Sequence, residues 1–325
     1  MLRLSRLPFA AAALASSAII LFAQSAPPAS APTPVAQDEV PTFTMDTRLV
    51  VVHASVTDKN GKLITNLPES SFKVFENGVQ QQLKLFRRED IPVSMGIIVD
   101  NSGSMKDKLT QVAEAALDLV RASNPQDEVF VVNFNDDAFL DQPFTNDIKK
   151  LETALEEIKA KGGTAMRDAI NLSMDYLKEK AKKDKKVLLV VTDGNDNASN
   201  VSLEDLVRKA QQSDVLIYSI GLLNEEEPRE AKKAKHALHD LAIASGGMDY
   251  YPKDLAEVDR ITPEVAHEVR NQYTMAYTPT NLALDGTFRK ILVTVNASHA
   301  NVRTRNGYYA GGTPSKADPK PDTKQ

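Results

Sequence analysis

Between about residues 91 and 270 the chain repeats one alternation, and that alternation limits its fold more than any other feature. Val93–Val99, Val129–Phe134, Val187–Val191 and Val215–Ile220 are short, nearly unbroken apolar runs. Between them apolar residues return every three or four positions. Leu109, Val112, Ala116, Leu117 and Val120 form one such series, and Ile148, Leu151, Leu155 and Ile158 form the next. The same spacing marks helices over 165–180, 203–211, 231–244 and 255–269. A strand apolar on both sides must be covered on both sides, and helices alternating with strands supply that cover. The pattern predicts an α/β domain: a doubly wound, mostly parallel sheet with helices on both faces.

The flanks read differently. Leu49–Val56, Phe72–Phe75 and Gln82–Phe86 have strand character and are punctuated by Asp58-Lys59-Asn60-Gly61 and Glu76-Asn77-Gly78. Asn-Gly pairs suit turns because both residues tolerate positive φ. Beyond the α/β zone, Gln272–Thr278, Arg289–Val295 and Val302–Tyr309 are again strand-like. Three strands alone bury little core. The expectation is therefore that 44–90 and 271–310 are two halves of one small all-β accessory domain, with the α/β domain of 91–270 inserted between them.

The ends suggest export. Arg3 and Arg6 precede an apolar run from Phe9 to Ala23, and Ala23-Gln24-Ser25 has small residues at a cleavage spacing. The run is about 15 residues long, short of the ~20 that cross a bilayer. Residues 1–25 are thus expected to be a cleaved signal peptide rather than a retained anchor. No later stretch reads as a transmembrane span, which places the mature chain in a secreted or periplasmic setting. The Pro-rich segment 26–43 reads as a linker and 311–325 as a disordered tail.

Three loops of the α/β zone carry the chemistry. The first apolar run ends in Asp100-Asn101-Ser102-Gly103-Ser104, the third in Thr192-Asp193-Gly194, and Gly162-Gly163-Thr164 opens a helix. Ligands of open α/β sheets bind beyond the carboxyl ends of the strands. Asp100, Ser102, Ser104, Thr164 and Asp193 are therefore expected at one edge of the sheet. Every donor is an oxygen, and the chain has no cysteine. Oxygen-only ligation selects Mg²⁺, with Mn²⁺ or Ca²⁺ as alternatives, over zinc or copper. Only two of the donors are carboxylates, so a cation held here stays short of negative charge. A position remains for water or for a carboxylate from outside.

Asp100-x-Ser102-x-Ser104, Gly163-Thr164 and Thr192-Asp193-Gly194 resemble the metal-ion-dependent adhesion site of von Willebrand factor type A domains. The resemblance covers about 91–270 and includes the strand–helix alternation. It implies that Ser102, Ser104 and Thr164 ligate the metal directly and that Asp100 and Asp193 do so directly or through water. It also implies that an Asp or Glu of a protein partner completes the shell. In some members of that family the last helix switches conformation; here that helix is 255–269. The flanks, with Phe72-x-Val74-x-Glu76-Asn77-Gly78 and Gly307-Tyr308-Tyr309, resemble secreted bacterial proteins of this type.

The expected work is metal-dependent protein binding or adhesion. The alternative is a cell-envelope scaffold or assembly factor without strict metal dependence. An enzyme is not expected. The sequence lacks a phosphate loop and a Gly-x-Ser-x-Gly frame, and Ser102 stands where an aspartyl phosphatase wants a second Asp. A net charge of -5 argues against nucleic acid. His236 and His239, three apart on a helix, read as a solvated face beside Lys232, Lys233 and Lys235. So do the lysines of 178–186 and the run Glu225-Glu226-Glu227. Asn195-Asp196-Asn197 and Asp136-Asp137 are either rim or plain polar loop.

Overall fold

The computed structural model describes residues 49–88 and 90–311. The segments expected to be a signal peptide (1–25), a linker (26–43) and a tail (311–325) lie outside the described residues, apart from Gly311. Chain order begins with β1 (Val50–Thr57), β2 (Phe72–Glu76), β3 (Val79–Gln81) and β4 (Leu83–Arg87). Asn77 and Gly78 join β2 to β3 with φ of 48° and 82°. Both residues of this turn are left-handed, the geometry that matches the twist of a hairpin.

The α/β zone follows as β5 (Val93–Asp100), α1 (Leu109–Ala122), β6 (Glu128–Phe134), β7 (Ala138–Thr145), α2 (Ile148–Glu156) and α3 (Met166–Lys180). It continues with β8 (Lys185–Thr192), α4 (Leu203–Gln211), β9 (Val215–Gly221), α5 (Pro228–Ser245), β10 (Asp249–Tyr250) and α6 (Leu255–Asn271). Strand order is β10-β9-β8-β5-β6-β7, and every pairing is parallel except β6 with β7. β5 is buried along its whole length. Its Ile97 packs with α1, α2 and α6 on one face, while Ile98 packs with α3, α4 and α5 on the other. That alternation is the period of two expected of a strand covered twice.

Two strands here were not expected. β7 carries Asp141, Gln142 and Pro143 and is largely exposed. It sits at the sheet edge, where proline and polar side chains are tolerated. β10 has only two residues and closes the other edge. One helix starts earlier than its apolar spacing: α5 begins at Pro228, with the Glu227 carboxylate accepting from the Arg229 and Glu230 amides.

The chain ends with β11 (Tyr273–Tyr277), β12 (Phe288–Val295), β13 (Asn301–Thr304) and β14 (Gly307–Tyr309). These strands pair with the first four. One antiparallel sheet has the order β13-β1-β11-β4 and the other β14-β12-β2-β3. The segment 302–309, expected as one strand, is thus two short strands in different sheets. Val52, Ala54, Phe72, Val74, Tyr273, Met275, Ile291 and Val293 form the apolar core that the two sheets share.

A polar seam joins these sheets to the α/β part. Glu268, on α6 and 7% exposed, accepts at Oε1 from Ser55 of β1 (2.9 Å) and from Tyr218 of β9 (2.6 Å). Arg303 of β13 pairs with the same oxygen. Nearby, buried Arg305 donates to the Gln211 and Ser213 carbonyls at the end of α4. No helix among the described residues is long and apolar enough to cross a membrane.

Candidate functional site

β5 and β8 are neighbours in the middle of the sheet and run parallel. Their carboxyl ends therefore deliver Asp100 and Asp193 to the same edge. Asp100 is fully buried. Its Oδ2 accepts from the Thr192 hydroxyl at 2.6 Å and its Oδ1 from the Ser102 amide at 2.8 Å. Burial pushes its carboxyl up to about 6, against the pull of those hydrogen bonds.

The chain then tightens into a 3-10 turn, Gly103–Met105, anchored by fully buried Met105. This turn folds Ser102 and Ser104 together, with hydroxyl oxygens 3.1 Å apart. Ser104 donates onward to Asp193 Oδ1 at 2.7 Å. Plain helix capping does not account for the two serines. Ser102 makes no side-chain cap to the turn it precedes, and α1 takes no side-chain cap at all.

Thr164 arrives by a separate route. It is 5% exposed, and its hydroxyl lies 4.0 Å from where a Cβ on Gly194 would stand. Its amide donates to Asn197 Oδ1 at 2.9 Å, and its carbonyl accepts from the Asn197 and Ala198 amides. Asp136 holds the preceding Gly163 amide at 2.8 Å. Asp136 and Asn197 press so closely that a Cβ on Gly162 would lie 2.3 Å from Asp136 Oδ2, and one on Gly163 would lie 2.8 Å from Asn197 Oδ1. Gly162 also has φ +74°. Two glycines are therefore needed just ahead of Thr164. Gly103 donates to the Gly162 carbonyl at 3.2 Å and ties this loop to the serine turn.

The structure thus links Asp100, Ser102, Ser104 and Asp193 through short hydrogen bonds. Thr164 stands beside Asp193-Gly194 without a direct hydrogen bond to the other four among the described residues. The polar runs around the site take definite jobs. Asp136 and Asn197 shape the Thr164 loop. Asp196 accepts from the Arg167 amide at 2.7 Å, inside the first turn of α3. His236 and His239 do not converge on one point; His236 faces Asp240 and His239 faces Asp249.

Two charged groups depart from expectation. Lys185, within a run read as solvated, is 2% exposed and donates to the Val269 carbonyl. Lys108, which nothing in the motif points to, has its Nζ 2.8 Å from Asp193 Oδ2 and 2.8 Å from Glu225 Oε2. Eighty-five positions separate Lys108 from Asp193, so no local pattern could have revealed the pair.

The donor set fits a hard cation. It gathers two carboxylates with almost no access to water and three hydroxyl side chains, all oxygen. The Lys108 ammonium on Asp193 indicates that the site already attracts positive charge. No group of three or more His, Cys, Asp or Glu among the described residues is placed to hold a metal ion. A cation held by the five residues would therefore keep coordination positions open to an outside ligand. Beside Asn101 and Asn135 a groove of about 710 Å³ opens between α2 and β7.

Comparison with known proteins finds relatives of both kinds, by sequence and by structure. An uncharacterised protein of Borreliella burgdorferi is 26% identical over 196 residues, which is 58% of this chain and 54% of that protein. The chain therefore spans about half the length of the curated relative it matches. Among solved structures, a von Willebrand factor type A protein from Catenulispora acidiphila is 16% identical. It covers 80% of this chain and 73% of its own, with a TM-score of 0.48. The vWF domain of the type V pili tip protein Mfa5 from Porphyromonas gingivalis is 11% identical over 55% of this chain and 97% of its own, with a TM-score of 0.45. An aerotolerance-related membrane protein from Bacteroides fragilis is 20% identical over 55% and 98%, also with a TM-score of 0.45. The profile of the von Willebrand factor type A domain matches residues 95–264. With more than half of its length so matched, the chain belongs to the von Willebrand factor type A domain family.

Proposed function

We propose that this chain binds a protein partner through a divalent cation, Mg²⁺ in the first instance, held by Asp100, Ser102, Ser104, Thr164 and Asp193. An Asp or Glu of the partner completes the shell. The observation that carries this reading is the joining of Asp100, Ser102, Ser104 and Asp193 in one hydrogen-bonded, oxygen-only cluster at two adjacent strand ends, with Asp100, Ser102 and Asp193 buried and Ser104 exposed. Two carboxylates neutralise a divalent ion formally but leave it under-coordinated, which favours an acidic ligand from outside. The groove beside Asn101 offers room for the partner's neighbouring side chains. Domains of this family act by binding, and the reading assigns no catalytic residue. The N-terminal signal pattern supports work outside the cytoplasm, secreted or periplasmic, where divalent ions are plentiful.

A second reading keeps the domain as an envelope scaffold without strict metal dependence. The Lys108 contact favours it, because an ammonium compensates Asp193 without any metal. Pull-down from envelope extracts with Mg²⁺ and with EDTA separates the two. Loss of a specific partner with EDTA, and equally in Asp100→Ala and Asp193→Ala proteins that keep wild-type circular dichroism, supports the metal-dependent reading. Retention of that partner in EDTA overturns it.

A further inference from the structure

We infer that Lys108 is a built-in rival of the metal: its ammonium holds Asp193 and, through Glu225, latches the acidic loop at Glu225-Glu226 to the site. A divalent cation that takes Asp193 displaces the ammonium and frees that loop. This inference rests on the reading of Asp193 as a metal ligand.

Lys108 is not an ordinary surface lysine. Its amide donates to the Met105 carbonyl at 2.9 Å, and Met105 is fully buried, so the backbone that carries it is fixed. Its side chain is only 13% exposed, and that of Asp193 is 1% exposed. Exposed ion pairs contribute little because water screens them. This pair lacks that screening, so each charge depends on the other.

The two oxygens of Asp193 are divided. Ser104 donates to Oδ1 and Lys108 to Oδ2. A divalent ion using this carboxylate would stand within a few ångströms of the ammonium. Like charges so close and so poorly hydrated repel strongly. The metal and Lys108 therefore compete for one carboxylate.

Glu225 couples that competition to the loop. The Glu225 side chain is 77% exposed, with Lys108 as its ion-pair partner. Next to it, Glu226 Oε2 lies 3.1 Å from where a Cβ on Gly194 would stand, the point that the Thr164 hydroxyl approaches at 4.0 Å. Glu227 is tied down as the cap of α5. A carboxylate of the chain itself, that of Glu226, thus stands over Gly194, on the rim of the site where a partner's carboxylate would have to arrive.

Calorimetric titration of MgCl₂ and MnCl₂ into the full chain tests the competition. Lys108→Met should bind the metal about tenfold more tightly than wild type. Lys108→Arg, which keeps the charge, should stay close to wild type, and Lys108→Gln should behave like Lys108→Met. Hydrogen exchange tests the latch. In wild type, Mg²⁺ should speed amide exchange at Glu225 and Glu226. In Glu225→Gln, exchange there should be fast from the start and insensitive to Mg²⁺. Equal or weaker metal binding by both Lys108→Met and Lys108→Gln overturns the inference while leaving the metal site intact. Unchanged or slower exchange at Glu225 and Glu226 with Mg²⁺ in wild type overturns the latch. If wild type and the Lys108 variants all fail to take up metal, the metal reading itself falls and the inference with it.

Discussion

Glu268→Ala is the sharpest test of how the α/β part and the β-sheets are held together. The Glu268 carboxylate serves a Ser55 hydroxyl, the Tyr218 hydroxyl and the Arg303 guanidinium at once. Its removal leaves two buried hydroxyls without their acceptor and an arginine, 29% exposed at its side chain, without its counter-charge. Breaking a buried pair from one side costs about 3–5 kcal/mol, because the surviving charge loses its compensation. For a folded region of this size each kcal/mol lowers the melting midpoint by about 2–4 °C. The expected loss is thus about 10 °C by calorimetry or circular dichroism. Glu268→Gln keeps a carbonyl acceptor and should lose roughly half as much. Glu264→Ala, on the exposed side of the same helix, should change stability by less than about 0.5 kcal/mol. Replacing both partners, as Glu268→Leu with Arg303→Met, should recover the part of the loss due to the uncompensated arginine, since well-packed apolar groups often match a buried ion pair, while the Ser55 and Tyr218 hydroxyls stay without their acceptor. A midpoint within about 3 °C of wild type for Glu268→Ala would refute the reasoning.

Lys185 should give the protein an unusual pH dependence. Burial pushes its ammonium down to about 7 from the ordinary 10.5. Below pH 7 the group is charged in both the folded and unfolded chain, and the full penalty of burying the charge is present. Between pH 7 and 10.5 only the unfolded chain holds the proton, so this contribution to stability rises with pH. Urea denaturation at pH 7 and pH 9.5 should show the stability gap between Lys185→Met and wild type narrowing at the higher pH; parallel profiles would contradict this. Gly96→Ala puts a Cβ 2.3 Å from Phe130 Cζ and 2.6 Å from Leu188 Cδ2, inside the middle of the parallel sheet. Overpacking of this kind costs about 1–3 kcal/mol, and a urea midpoint equal to wild type would show that the sheet has slack.

The α/β fold was legible because its strands are apolar on both faces and its helices on one, a contrast that local sequence carries in full. β7 was not, because an edge strand needs no apolar alternation and Ala138–Thr145 has none to offer. The division of 302–309 between two sheets was equally hidden; it depends on Arg305, which turns inward to the end of α4. At the candidate site the motif predicted which loops meet, since parallel strands end at one edge. It could not predict what surrounds them. Asp136, Asn197 and Lys108 lie in or near the candidate loops, but each bonds to a residue 27 to 85 positions away, and such pairings leave no period or spacing in the sequence; for Asp136 and Asn197 the sequence left rim and plain polar loop open. Lys185 misled for a related reason: its neighbours in the chain face water, while its own amine meets a helix carbonyl that only the fold supplies.

The pairing of β4 with β11 has a consequence for the order in which the molecule can assemble. Arg87 lies opposite Thr274, so everything from the end of β4 to the start of β11 leaves and returns at adjacent points of one sheet. β1 can meet β11 and β13, and β2 can meet β12, only after the whole intervening α/β part has emerged. At about 5–20 residues per second of synthesis, the first strands wait on the order of ten seconds or more with their edges open. Open edges recruit strands from other chains. The architecture therefore places the most aggregation-prone interval early in the life of the chain. It also makes the last short strands, up to Tyr309, the step that closes it.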